Sequence, residues 1–180
     1  MKVHLCCGDV YLRDYQNVDA FGDLIELVHS NPNLTTIDNY YKKALYDYHR
    51  PVIDKRMNLN TEWDFAWNSI DEFLLICGIE HVSREISEQV IENVFKSLKP
   101  GGKFKFDFPD ILKTVEKNLD KPEHMMRLVY GSGKNEFGFH KWGYTKESIL
   151  RILERFEWKK IEFKEIIPHE YPMIGVEATK

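Results

Sequence analysis

The chain has 180 residues, of which 43% are hydrophobic and 30% are charged, and its formal net charge is −4. This size and balance favour one globular domain over a disordered chain. The mild acidity argues against a nucleic-acid or anionic-membrane partner, and no apolar run approaches the ~18 residues of a membrane span. Because there are only three cysteines and two are adjacent, we expect no disulfide framework and predict a cytoplasmic protein.

The N-terminal segment predicts two short strands joined by an unusually short crossover. An apolar run over Lys2–Cys6 stops at Gly8, and the run QNVDA brings a second strand to its end at Asp19. Parallel strands are usually connected through a helix, and such a connection needs about a dozen residues or more. The segment between these two runs is too short to hold that helix.

Residues 21–49 carry a weaker pattern. The runs FGDLIELVHS and IDNYYKKALYDYH have loosely helical spacing, and the breaker SNPN separates them. A third strand is predicted around Pro51–Asp54, and an aromatic loop follows it over Thr61–Ser69.

The middle of the chain predicts a strand–helix–strand unit. The near-continuous apolar run over Ile70–His81 is typical of a central parallel strand that is buried on both faces. The helix that follows has one apolar stripe, made of Ile86, Val90, Ile91, Val94, Phe95 and Leu98. The sequence KPGG ends that helix, and the strict alternation over Lys103–Asp110 predicts the next strand. The two strands should therefore lie parallel.

The C-terminal part predicts a weak helix, a glycine-rich loop over Tyr130–Tyr144 and a second clear helix with Thr145 as its N-cap. The apolar face of that helix comprises Ile149, Leu150, Ile152, Leu153 and Phe156. We expect Trp158–Ile167 and Met173–Thr179 to pair as a closing antiparallel hairpin. Together these segments predict one α/β domain over residues 1–180.

The order of these segments resembles that of class I S-adenosylmethionine-dependent methyltransferases, and most closely a small subgroup associated with glycan and cell-surface biosynthesis. The first motif of that subgroup reads roughly Leu-Gly-Cys-Gly, then Tyr-Leu, then Asn-Val-Asp, and LCCGDVYLRDYQNVD follows it here. The segments NSIDEFLLICGIEHV, VFKSLKPGGKFKFDFPD and YGSGKNEFGFHKWGYTKESILRILERF resemble later motifs in the same order. The resemblance implies a Rossmann-like, mostly parallel sheet in the order 3-2-1-4-5, counted over the predicted strands, with an insertion at about residues 21–50.

The resemblance also implies S-adenosylmethionine as the cofactor and assigns residues to it. Gly8 would let the backbone approach the methionine part, because glycine has no Cβ. Asp19 would accept hydrogen bonds from both ribose hydroxyls. Asn58 aligns with the acidic residue that usually contacts the adenine, and Cys77 and Gly78 would form the floor of the site.

The chain departs from the family pattern at the first motif, where Cys6 takes the place of the first glycine and Cys7 follows it. The extra side chain adds volume to a turn that should be tight. Proximity of these cysteines to Cys77 and His81 makes a zinc site conceivable. Adjacent cysteines lack the usual ligand spacing, however, so we expect small buried residues and no metal.

Two histidines are candidates for acid–base chemistry. Glu80 and His81 follow the fourth predicted strand, where a structural or cofactor-side role is favoured over catalysis. His140 lies in the glycine-rich loop, at the same end of the sheet, and it is the better candidate for a catalytic residue. The alternative is that the His140 side chain only binds the loop backbone.

Two functions from different classes remain open. The first is a methyltransferase that acts on an oxygen or nitrogen of a small or sugar-like acceptor, chemistry that needs alignment and at most one base. The second is a module that binds S-adenosylmethionine or a nucleotide without transferring a group. A dehydrogenase-type nucleotide fold is a weaker alternative, since Gly-x-Gly-x-x-Gly is missing.

The insertion at residues 21–50 is rich in tyrosines, among them Tyr40, Tyr41, Tyr46 and Tyr48. Their apolar rings and polar tips are suited to covering a small molecule. We predict that this segment packs over or beside the pocket and helps to select the acceptor. The alternative is that the tyrosines only attach extra helices to the sheet.

Overall fold

The computed structural model describes residues 1–27, 34–41, 51–133 and 136–180. The strands are β1 Lys2–Leu5, β2 Gln16–Asp19, β3 Asp23–Leu24, β4 Val52–Ile53, β5 Lys55–Arg56, β6 Ile70–Ile76, β7 Leu98–Pro109, β8 Lys160–Phe163 and β9 Met173–Thr179. The helices are α1 Arg84–Ser97, α2 Ile111–Lys117, α3 Pro122–Tyr130 and α4 Lys146–Leu153. Among the described residues, no helix is long and apolar enough to cross a bilayer.

Seven strands form the main sheet, in the spatial order β5-β2-β1-β6-β7-β9-β8. The first five run parallel to one another, whereas β9 runs antiparallel to both β7 and β8. The predicted α/β class, with a mostly parallel sheet and C-terminal antiparallel strands, is confirmed. The first strand of the closing hairpin is shorter than the predicted Trp158–Ile167, because β8 spans only Lys160–Phe163.

The third strand lies further along the chain than predicted. The expected span, Pro51–Asp54, supplies only β4, which pairs with β3 in a separate two-stranded sheet. The third parallel strand of the main sheet is β5, beside β2. Asp54 lies between β4, which pairs with β3, and β5, which pairs with β2. Its backbone N–H donates to the carbonyl of Asn17, and its carboxylate accepts from the backbone N–H of Asn17.

The predicted helices of the second half of the chain are present, whereas the described parts of residues 21–49 contain no α-helix. Thr145 caps α4, and its side chain and that of Ser148 bond each other's backbone N–H groups. The described parts of the 21–49 segment form the short strand β3 and two single 3-10 turns, Ile25–Leu27 and Ile37–Asn39. The remainder of that segment, with Tyr46 and Tyr48, lies outside the described residues.

The two faces of the main sheet differ in chemistry. One face, here called the helix face, packs against α1 and α4, and its buried side chains are Val3, Leu5, Val18, Phe73, Leu75, Phe104, Phe106, Phe108 and Val176. The other, here called the polar face, carries His4, Asn17, Glu72, Lys105, Asp107 and Glu177 at the alternate positions. Loops rather than helices cover it, through Leu12, Tyr15, Tyr40 and Ile167.

A single amide side chain holds the short first crossover in place. The Asn17 Oδ1 accepts from the backbone N–H of Leu12 at 2.9 Å, and its Nδ2 donates to the carbonyls of Leu12 and Tyr15, each at 3.0 Å. These bonds satisfy backbone groups that a helix would otherwise satisfy internally. The crossover therefore places Gly8 at the end of β1 without a helix.

Candidate functional site

A cavity of about 430 Å³ opens at the carboxyl ends of β1, β2 and β6. Ligands of open parallel sheets bind at this edge, where the strand order reverses. The wall of the cavity includes Cys6, Gly8, Asp19, Asn58, Cys77 and His81. Six of the predicted site residues thus share one cavity, whose volume lies in the range of small-molecule sites.

Gly8 and Asp19 form one hydrogen-bonded unit in this wall. Gly8 has a φ of +52°, which favours glycine, and no atom lies within 4 Å of where its Cβ would be. Its N–H donates to Asp19 Oδ2 at 2.9 Å, and the Phe21 N–H donates to Oδ1 at 3.0 Å. Burial raises the pKa of Asp19, and these backbone N–H groups oppose that rise. A carboxylate has about four acceptor positions, so it retains capacity for a ligand.

Cys6 and Cys77 end two neighbouring strands in the same unusual conformation. Their φ angles are +50° and +48°, in the left-handed region that side chains rarely adopt. Gly78 explains how Cys6 is accommodated, because a Cβ at position 78 would lie 3.1 Å from the Cβ of Cys6 and 2.3 Å from Leu75 Cδ1. The volume added at position 6 is thus offset by the absence of a side chain at Gly78.

Two residues predicted to bind the cofactor lie behind the cavity wall. Cys7 is 2% exposed and is packed in the interior. Gly78 lies against Cys6 and Leu75 rather than on the cavity surface. Burial raises the pKa values of the Cys6 and Cys7 thiols, so both are neutral. Of the three cysteines, only Cys77 belongs to a described group with metal-ligand spacing.

Asn58 lines the cavity, but its oxygen is engaged. The Oδ1 accepts from the backbone N–H of Asn60 at 2.9 Å and from the Asn60 side-chain amide at 3.0 Å. The side-chain NH₂ is therefore the group that Asn58 offers to a ligand. Sequence reasoning missed the apolar part of the same wall, Met57, Val82 and Phe137, because nothing in the local pattern separates lining residues from core residues.

Glu80 and His81 are adjacent in the sequence, and His140, about 60 residues further along the chain, joins them beside the cavity. One carboxylate oxygen of Glu80 and one ring nitrogen of each histidine lie within 4.8 Å of one another. The two imidazole centroids are 4.9 Å apart, with the rings edge to face. Burial raises the pKa of Glu80 to about 8 and lowers the pKa of both histidines. His81 lines the cavity, whereas His140 is not among the lining residues and contacts the His81 ring.

A second polar group lies at the ends of β6 and β7, on the polar face. Asp107 accepts from the backbone N–H of Cys77 at 3.0 Å and from His169 Nε2 at 2.8 Å. With Nε2 as the donor, His169 Nδ1 accepts from the hydroxyl of Tyr41 at 3.3 Å. The Cys77 Sγ lies 3.6 Å from the hydroxyl of Tyr171. Sequence reasoning missed Asp107 and His169, since they meet only through the turn between β8 and β9.

The described part of the insertion contacts this second group. Tyr40 is 6% exposed, and its hydroxyl lies 2.8 Å from Nε2 of His4 on the polar face. Tyr41 is about half exposed, and its hydroxyl approaches Cys77 Sγ at 3.8 Å, at the rim of the cavity. Tyr40 thus attaches the segment to the sheet, while Tyr41 reaches the edge of the site.

Solved structures of S-adenosylmethionine-dependent methyltransferases have a similar fold. One from Archaeoglobus fulgidus matches with a TM-score of 0.55 at 11% identity, over 99% of this chain and 85% of the other. One from Mesorhizobium loti matches with a TM-score of 0.54 at 13% identity, over 99% and 90%. One from Methanosarcina mazei gives 0.54 at 15% identity, over 99% and 89%. No protein-family model matches the chain, and no curated protein matches its sequence. The likeness is therefore one of fold, and that fold is the class I methyltransferase fold.

Proposed function

We propose that the chain is an S-adenosylmethionine-dependent methyltransferase acting on an oxygen or nitrogen of a small or sugar-like acceptor. The observation that carries this proposal is the unit of Gly8 and Asp19 at the strand ends of a class I methyltransferase fold. The open space beside Gly8 admits a ligand against the backbone. Beside it, the half-buried Asp19 carboxylate would accept hydrogen bonds from the two hydroxyls of a ribose.

The residues present fit the cofactor along the whole cavity. Asp19 would hold the ribose, the NH₂ of Asn58 would donate to a ring nitrogen of the adenine, and Met57 and Val82 would contact its apolar faces. Cys6 and Gly8 would lie against the methionine part. The bound sulfonium supplies an activated methyl group. The chain mainly has to hold donor and acceptor in line and keep water away.

The acceptor side of the cavity carries His81, with His140 behind it and Tyr41 at the rim. These are polar groups suited to a small hydroxyl- or amine-bearing molecule, and the net charge of −4 does not favour a nucleic-acid acceptor. The resemblance to the glycan-associated subgroup is the reason for proposing a sugar-like acceptor.

Calorimetry with S-adenosylhomocysteine tests the cofactor assignment. Asp19→Ala is expected to weaken binding by about 1.5–3 kcal/mol, because it removes charge-assisted hydrogen bonds. Asp9→Ala is the matched control, since Asp9 lines the same cavity but does not contact the Gly8 N–H. Unchanged affinity in a folded Asp19→Ala protein would overturn the ribose assignment. Cys6→Gly is a companion variant, and tighter binding is expected if the cysteine side chain narrows the cavity.

A second candidate function is a module that binds S-adenosylmethionine without methyl transfer. Its support comes from the motif positions that depart from the family, Cys6 in a left-handed conformation and Asn58 with its oxygen engaged by Asn60. A product assay separates the two functions. Binding by calorimetry with no conversion to S-adenosylhomocysteine, over a broad panel of hydroxyl and amine acceptors, would favour the module.

A further inference from the structure

The carboxylate of Glu80 is enclosed without a partner. Glu80 is 2% exposed, and neither of its side-chain oxygens has a hydrogen-bond partner among the described residues. The described ion pairs do not include it either. An uncompensated buried carboxylate is strongly unfavourable, so a proton or a cation has to neutralise it. The surroundings of this side chain decide between the two.

Two imidazoles converge on this carboxylate, and each is already oriented by the backbone. The Nδ1–H of His81 donates to the carbonyl of Phe139 at 3.0 Å, and the Nδ1–H of His140 donates to the carbonyl of Val129 at 3.1 Å. In each neutral ring the lone pair is therefore on Nε2. Histidines that bind metal ions almost always donate their other ring N–H to a carbonyl or carboxylate in this way.

The backbone contacts around Glu80, His81 and His140 hold these three side chains close together. The carbonyl of Glu80 accepts from the N–H groups of Lys141 and Trp142 at 2.7 and 3.3 Å, which fastens the loop bearing His140 onto the turn bearing Glu80. Gly131 has a φ of +83°, and a Cβ there would lie 2.9 Å from Cδ2 of His140. The ring thus occupies space that only a glycine at position 131 leaves open.

We propose that Glu80, His81 and His140 bind a divalent first-row transition-metal ion such as Zn²⁺, Mn²⁺ or Fe²⁺. Two imidazole nitrogens and one carboxylate oxygen select these ions over Mg²⁺ and Ca²⁺, which prefer oxygen ligands alone. Three protein ligands leave coordination positions open, the arrangement of catalytic rather than structural sites. Because His81 lies in the wall of the cofactor cavity, those positions face the acceptor side.

The neighbouring group of Cys77, Asp107 and His169 has similar spacing but no need for an ion. Both Asp107 oxygens accept hydrogen bonds, from the Cys77 N–H and from His169 Nε2. The remaining nitrogen of His169 faces the hydroxyl of Tyr41. Its polar atoms satisfy one another, whereas the oxygens of Glu80 have no hydrogen-bond partner in the described part of the chain. The ion is therefore assigned to Glu80, His81 and His140.

The role of the ion in the reaction rests on the proposed function. An ion bound beside the cavity would hold an acceptor hydroxyl and lower the pKa of that hydroxyl. The hydroxyl proton goes to solvent, the oxygen forms the new C–O bond, and the S–C bond of the donor breaks with its electron pair left on sulfur. His81 and His140 then act as ligands of the ion rather than as bases.

Metal binding is tested on the full chain after treatment with EDTA and gel filtration. Co²⁺ is titrated and followed by its visible absorption, and bound Zn²⁺ is counted after equilibrium dialysis. We expect one ion per chain. Glu80→Gln and His140→Ala should each weaken binding by more than about 10-fold, the lower limit for groups that only orient a metal ligand. His124→Ala is the control, because His124 is an exposed histidine on α3.

The other possible results of these measurements contradict the proposal or assign the ion elsewhere. No bound ion, or an affinity that survives both variants, overturns the proposal and leaves Glu80 a buried neutral acid. Glu80→Gln has the shape of that neutral acid, so an unchanged thermal midpoint shows that the variant is folded. Loss of the ion in His169→Ala, with retention in His140→Ala, assigns it to the second group and also overturns the proposal. S-adenosylhomocysteine binding by the metal-free chain, measured separately, distinguishes failure of this inference from failure of the proposed function.

Discussion

The two faces of the main sheet achieve burial in different ways. The helix face is apolar and is covered by α1 and α4, with Phe104, Phe106 and Phe108 side by side along β7. The polar face buries ionisable and amide groups under loops, and each is matched to a specific partner. Stability on the first face depends on area and packing, whereas on the second it depends on individual hydrogen bonds and charges.

The partners on the polar face come both from neighbouring strands of the sheet and from the loops that cover it. His4 is paired with Asn17 and Tyr40, and Glu72 with Lys105 and the hydroxyl of Tyr15. Glu177 lies between Lys103 and Lys164, and these two lysines hold its pKa at about 2 although burial opposes this. The free energy of unfolding should therefore depend on pH and on single hydroxyl groups through the polar face. Through the helix face it should depend on the volume of the buried side chains.

The largest effect is expected on the helix face. Phe106 is fully buried and its ring stacks on Phe104 with the centroids 4.4 Å apart. Phe106→Ala should lower the free energy of unfolding by about 3–5 kcal/mol, because it removes buried area and leaves a cavity. Urea denaturation measures this change. Leu119→Ala, at a side chain that is 69% exposed, should stay within about 0.5 kcal/mol, and equal effects of the two changes would contradict the comparison.

The pH dependence of unfolding tests the polar face. Burial lowers the pKa of His4 to about 4, so between about pH 6.5 and pH 4 the unfolded chain binds a proton that the folded chain does not. The contribution of His4 to the free energy of unfolding is present in full above about pH 6.5. It is lost as the pH falls towards 4, which lowers the free energy of unfolding by about 3 kcal/mol. His4→Gln should remove this part of the pH dependence in urea denaturation at pH 7 and pH 4. Parallel curves for the two proteins would contradict the prediction.

A smaller effect is expected from one hydroxyl. Tyr40→Phe leaves Nε2 of the buried His4 without its partner, which should cost about 1–3 kcal/mol of unfolding free energy. Tyr41→Phe is the matched control, because its ring is half exposed and water can replace the lost bond. Equal, small effects at both positions would show that residues 34–41 are not an integral part of the polar face.

The fold was predictable where the pattern is local. The β6–α1–β7 unit has a buried strand, a one-sided helix and a strict alternation, and each is a property of neighbouring residues. The third parallel strand was misplaced because β5 has only two residues, Lys55 and Arg56, and neither is apolar. Its position depends on the hydrogen bonds of Asp54 to the backbone of Asn17. Local hydrophobic periodicity does not indicate a contact of this kind.

Part of the cavity wall was predictable, since six of the predicted residues line it. The first motif placed Gly8 and Asp19 in one cavity because they end adjacent strands. The partnerless state of Glu80 was not predictable, since it depends on where the glycine-rich loop lies. His169 was missed for the same reason, because it reaches Asp107 from a turn that is 62 residues away along the chain.

The hydrogen bonds of Asn17 impose a fixed length on the first crossover. A helical connection can gain or lose a turn and still satisfy its own backbone. Here one side chain reaches both the N–H and the carbonyl of Leu12, five positions earlier, so a single inserted residue between them would move both groups out of reach. The number of residues between Leu12 and Asn17 is therefore fixed, whereas the exposed residues among them, Arg13 and Asp14, are free to vary. Homologues that keep an asparagine at this position should show a crossover of constant length, and those that lose it should be the ones that regain a helix.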